Sequence, residues 1–105
     1  MTQDEFLDQK VFTGLTIEDQ DKTGVYFSEE EFPEVLKQAE YFGISVYDIK
    51  TTLEGKEFKT VHHESFRKKA TDANWYNKEF NNLKRSQEGL LYSGTYKVSK
   101  KLLEK

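Results

Sequence analysis

Residues 19–30 read D-Q-D-K-T-G-V-Y-F-S-E-E, and two different folds can be built on them. Counted as a loop, the stretch has oxygen side chains at positions 1, 3, 5 and 12 (Asp19, Asp21, Thr23, Glu30) and Gly24 at position 6. That is the spacing of a helix–loop–helix calcium site, whose hard oxygens close round a sharp turn. Counted as a hairpin, the same residues are a polar turn that runs into an acidic helix start. The upstream flank decides between the two. Residues 11–18, V-F-T-G-L-T-I-E, are rich in β-branched side chains and alternate at Leu15 and Ile17 around Gly14. They read as a strand where a calcium loop requires an incoming helix. Thr23 also withdraws a ligand charge, and the motif occurs once. The expectation is therefore a strand over 11–18, a turn at D-Q-D-K and a second short strand over 23–27. No metal or other cofactor is expected, and calcium at residues 19–30 is kept as a minor alternative.

Downstream the helical signal is the clearest in the chain. Ser28 with Glu31 three residues on is a capping-box signature. Phe32, Val35, Leu36, Ala39 and Phe42 then form one apolar stripe, and Gly43 stops it. Pro33 belongs in a first helical turn, which moves the expected helix start to about Phe32. Residues 44–53 and 57–63 read as a hairpin turning at E-G-K. Residues 65–70, S-F-R-K-K-A, suggest a short helix. A longer helix capped by Asp72 or Asn74 follows, with Trp75, Tyr76, Phe80 and Leu83 on its apolar side and Gly89 beyond its end. Residues 90–98 make a last strand with Tyr92, Tyr96 and Val98 on one face around Gly94. The tail allows a turn of helix at most, and residues 1–10 are expected to fray. The predicted fold is α+β in the order β-β-α-β-β-α-β, a mostly antiparallel sheet of about five strands with two helices packed on one face.

A chain of 105 residues supports one domain with one modest core. Only 35% of it is hydrophobic, yet 14% is aromatic, so the core is expected to be built from rings. With no cysteine there is no disulfide, thiolate metal site or cysteine nucleophile. The acidic start, M-T-Q-D-E-F-L-D-Q, lacks the basic and apolar regions of a signal peptide, and no apolar run has the length of a membrane span. A cytoplasmic protein with no membrane association is expected.

Net charge is −3, but it is unevenly placed. Residues 1–48 carry 12 acidic and 3 basic side chains, and residues 49–105 carry 7 and 13. The adjacent His62 and His63 fall on a strand end, where neighbouring side chains point to opposite faces, so they are poorly placed to share a metal. No nucleophile elbow or phosphate-cradling glycine loop is present. Glutamates at a helix start are favoured there by the helix dipole without any chemistry. Enzyme activity is not expected.

Two binding readings follow. Asp19, Asp21, Glu29, Glu30, Glu31, Glu34 and Glu40 make an acidic strip suited to another protein with a basic surface. Alternatively, Lys59, Arg67, Lys68, Lys69, Lys84 and Arg85 hold the phosphates of a single-stranded nucleic acid while Trp75 stacks on a base. The acidic reading leads: a non-catalytic protein-binding or inhibitory module. In size and charge the chain resembles the immunity proteins that neutralise bacterial nuclease toxins and the phage inhibitors that mimic nucleic acid. That likeness extends to no motif.

Overall fold

The computed structural model describes residues 1–22 and 24–104. Thr23, the expected third calcium oxygen and the first residue of the expected second strand, lies outside the described residues.

The N-terminus is folded rather than frayed. Thr2 Oγ1 accepts from the Glu5 N–H at 3.2 Å and Glu5 Oε1 accepts from the Thr2 N–H at 3.0 Å. This reciprocal capping box starts helix α1 (Gln3–Phe6), which widens into a π-helical turn over Leu7–Val11. The Phe12 N–H closes that turn on the Leu7 carbonyl at 2.8 Å. Widening keeps two apolar pairs, Phe6-Leu7 and Val11-Phe12, on the core side, and all four side chains are buried. The strand expected over 11–18 does not form, because Val11 and Phe12 belong to this turn and Gly14, at φ 79°, redirects the chain.

Strand β1 (Asp19–Asp21) pairs antiparallel with β2 (Gly24–Tyr26), Asp19 opposite Tyr26 and Asp21 opposite Gly24. The D-Q-D stretch expected to be the turn is thus itself the first strand, and the chain reverses just after it. The Ser28–Glu31 pairing builds the approach to α2 (Phe32–Phe42) rather than its first residue. Ser28 Oγ accepts from the Glu31 N–H at 3.3 Å and its carbonyl from the Phe32 N–H at 2.9 Å. Pro33 occupies the first turn and Gly43 ends the helix in a left-handed conformation.

Strands β3 (Ser45–Leu53) and β4 (Lys56–His62) form the expected hairpin. Its Glu54-Gly55 turn has φ values of 52° and 82°, both positive as a tight hairpin turn requires. The helix expected at 65–70 is replaced by a single 3₁₀ turn, His63–Phe66, ended by Arg67 at φ 54°. Asp72 caps α3 (Ala73–Ser86) by accepting from the Asn74 N–H at 2.9 Å. Strand β5 (Leu91–Lys97) and a last turn, α4 (Lys100–Leu103), complete the chain.

The fold is α+β with antiparallel sheets, but the five strands do not make one sheet. They form a three-stranded sheet, β4-β3-β5, and a separate two-stranded one, β1-β2. One rung joins them: Phe27 and Tyr92 exchange two backbone hydrogen bonds of 2.8 Å. The ladder goes no further because Tyr26 gives its carbonyl to Glu18 while Ser28 turns away into α2. The hairpin passes so close to β5 that a Cβ on Gly24 would lie 3.0 Å from Ser93 Oγ.

The core between sheet and helices is aromatic, as composition implied. Tyr92 stacks on Phe32 with centroids 5.4 Å apart and meets Phe80 edge-on at 4.9 Å. Phe12 packs on Phe27 at 5.0 Å and Phe6 on Phe42 at 5.1 Å. The first described turn meets the end of β5 and the last helical turn. Gln3 donates to the Tyr96 carbonyl and accepts from the Val98 N–H, and the Met1 amino group donates to the Leu103 carbonyl at 3.3 Å. Among the described residues no helix is long and apolar enough to cross a membrane.

Candidate functional site

The main concavity is an open groove of about 440 Å³ between α1 with its π turn, the β1–β2 hairpin and the end of β5. Its floor is apolar, with Leu7, Phe12, Val25 and the ring of Tyr96, which lies back over Gly94. Its polar lining carries three carboxylates, Asp4, Asp8 and Asp21, beside Lys22 and the neutral Gln3, Gln20 and Thr95. Such a site suits a long basic side chain, whose methylenes need apolar cover and whose head needs carboxylates.

The residues of the expected acidic strip divide by environment. Asp21 lines the groove, and Asp19 is exposed beside it on β1. Glu30, Glu34 and Glu40 are exposed in and just before α2. Glu31 is engaged locally, its Oε2 accepting from the Thr16 N–H at 2.9 Å. Glu29 is half-buried, and its Oε1 is sequestered with no hydrogen-bond partner among the described residues. Burial, with Glu29 nearby, pushes the Tyr92 hydroxyl up to about 12. Burial likewise raises Tyr76 to about 12, with Glu40 and then Asp72 adding to it. Tyr96 is pushed up by burial against a weaker opposing effect from the Gly94 backbone. The alignment there falls short of a hydrogen bond, and the Tyr96 hydroxyl has no partner among the described residues.

Asp4 and Asp8 were not among the residues the sequence pointed to. Their i, i+4 spacing in Q-D-E-F-L-D was the available signal, masked by reading the segment as frayed. Of the residues of the calcium alternative, Asp19 and Asp21 lie on strand β1, no helix covers residues 12–18 ahead of them, and Glu30 sits in the turn before α2. Among the described residues no three His, Cys, Asp or Glu side chains gather as metal ligands.

The basic residues are also dispersed. Lys59 is exposed on β4, Arg67, Lys68 and Lys69 follow the 3₁₀ turn, and Lys84 and Arg85 occupy the last turn of α3, where the helix dipole favours them. Trp75 is only 3% exposed. It is covered by Phe66, whose ring stacks on it at 6.1 Å, so the open ring in this region is Phe66.

Asp48 Oδ1 and His62 Nδ1 are in hydrogen-bond contact at 2.5 Å. Asp21 set aside, no described lysine or arginine lies within 4.0 Å of a carboxylate. The neighbouring histidines diverge as their alternation requires. His62 meets Asp48, while His63 Nδ1 donates to the Tyr47 carbonyl at 3.1 Å, which fixes the proton on that nitrogen. No protein-family model, curated protein or solved structure matches this chain.

Proposed function

We propose that this chain is a non-catalytic protein-binding module of the cytoplasm, acting as a stoichiometric inhibitor of a partner with a basic surface, in the manner of an immunity protein. The observation that carries the reading is acidic charge left open. Asp4, Asp8, Glu30, Glu34 and Glu40 are all exposed, and none is ion-paired to a described lysine or arginine. An unpaired field of one sign speeds encounter with the opposite sign and rejects wrong partners by repulsion. The groove adds shape to charge, since its apolar floor and carboxylates accept the stem and head of an arginine or lysine.

The test compares the wild-type chain with an E30K/E34K/E40K variant as bait in the same extract. All three positions are exposed, so the variant should fold. The expected result is a defined basic protein retained in about one-to-one amount by the wild type, lost from the variant and released by salt. Equal capture by both baits, or capture of an acidic protein, refutes the reading.

A further inference from the structure

The segment after β4 combines an open aromatic ring with consecutive cations. Phe66 is 38% exposed while one side of its ring rests on Trp75, the two planes inclined by 23°. His63 and Tyr47 extend the aromatic run, with ring centroids 5.2 Å apart. The ring is therefore held from below and open above. Arg67, Lys68 and Lys69 follow directly and are all exposed. Arg67 adopts a left-handed conformation, at φ 54°, that L side chains disfavour. A site chosen for the turn alone would favour glycine or asparagine, so an arginine here keeps a charge at some conformational expense. The segment is pinned at its end, where the Ala70 carbonyl accepts from the Val46 N–H and the Lys69 carbonyl from the Asp72 N–H, at 2.8 and 2.9 Å.

From this juxtaposition we infer that residues 66–69 bind single-stranded nucleic acid, a base stacking on Phe66 and the flanking phosphates meeting Arg67, Lys68 and Lys69. The inference does not depend on the protein-binding role proposed for the acidic face. The choice of occupant follows from what each candidate offers. An acidic peptide would satisfy the cations and leave the ring unused, and a duplex hides its base faces. A single strand presents both an anionic backbone and unstacked bases. The acidic half does not forbid this, because the segment's own charge is positive: Arg67, Lys68 and Lys69 outnumber Glu64 before them and Asp72 after them, and charges beyond the roughly 8 Å screening length at physiological salt count for little.

The test is fluorescence anisotropy of a labelled single-stranded oligothymidine, read in parallel with emission from Trp75, the chain's one tryptophan. Three phosphate contacts give a log–log salt slope of about −2. Phe66→Ala should weaken binding roughly 5- to 150-fold, the worth of one stacked base, Phe66→Trp should restore it, and R67Q/K68Q/K69Q should flatten the salt slope. Phe66→Trp guards against a folding artefact, because it keeps the cover over Trp75. No binding at low salt, unchanged binding by Phe66→Ala, equal affinity for duplex, or equally effective displacement by polyglutamate would each overturn the inference.

Discussion

Replacing Gly94 by alanine places a Cβ 2.7 Å from Cε1, Cζ and Oη of Tyr96, well inside the roughly 3.5–4.0 Å of an ordinary carbon contact. Gly94 is not among the residues with positive φ, so the backbone tolerates alanine and the penalty is steric. The Tyr96 ring must give way, yet it is backed by Phe12 at 5.9 Å and its hydroxyl is sequestered. Overpacking of this kind costs about 1–3 kcal/mol. Taking about 2 kcal/mol, the melting temperature of a domain this size falls by about 10 °C. Urea unfolding followed by Trp75 fluorescence measures the cost directly, and a double-mutant cycle assigns it. With the ring removed by Tyr96→Ala, the extra methyl has nothing to strike. Adding Gly94→Ala in that background should then be neutral, or stabilising by about 0.5–1 kcal/mol through lost glycine flexibility. Costs that add to within about 0.5 kcal/mol would refute the ring contact as the cause.

Two further predictions concern the rest of the fold. Phe6 is 4% exposed and edge-on to Phe42, so Phe6→Ala should cost about 3 kcal/mol in urea unfolding, where a frayed N-terminus would give almost nothing. Tyr76 and Tyr92 have hydroxyls raised from 10.0 to about 12 by burial. Above the unfolded value the denatured chain loses these protons first, so the stability they contribute is intact below pH 10 and drains away as pH rises toward 12. Tyrosinate absorbance should rise together with loss of structure across that window, and Tyr92→Phe should shrink the pH dependence; ionisation complete near pH 10 in the folded protein would contradict it.

The sequence was most legible where one period dominated. The stripe from Phe32 to Phe42, the Asp72 cap with Trp75, Tyr76, Phe80 and Leu83, and the E-G turn between β3 and β4 all lie where periodicity and turn chemistry put them. The N-terminal third was misread because its signals compete. Val11 and Phe12 look like the start of a strand, but they repeat Phe6 and Leu7 five residues on, a spacing that only a widened helical turn keeps on one side. The D-Q-D stretch looked like a turn on polarity alone, and both faces of so short and exposed a strand tolerate polar residues. The unity of the sheet depended on how far β2 and β5 pair, a tertiary fact that no local pattern encodes. The candidate sites shifted accordingly. Asp4 and Asp8 became visible only once α1 was known to dock, and an exposed Phe66 over a buried Trp75 reverses the roles their sizes suggest.

The contact of the first turn with the last has a practical consequence. With the Met1 amino group on the Leu103 carbonyl and Gln3 clamped to β5, a short linker can close the chain into a ring, and new ends can be opened at the exposed Glu54-Gly55 turn. The same geometry bears on how the protein is handled. A tag fused ahead of Met1 emerges near Asp4 and Asp8, whereas a permutant cut at residues 54–55 carries its tag on the turn of the β3–β4 hairpin.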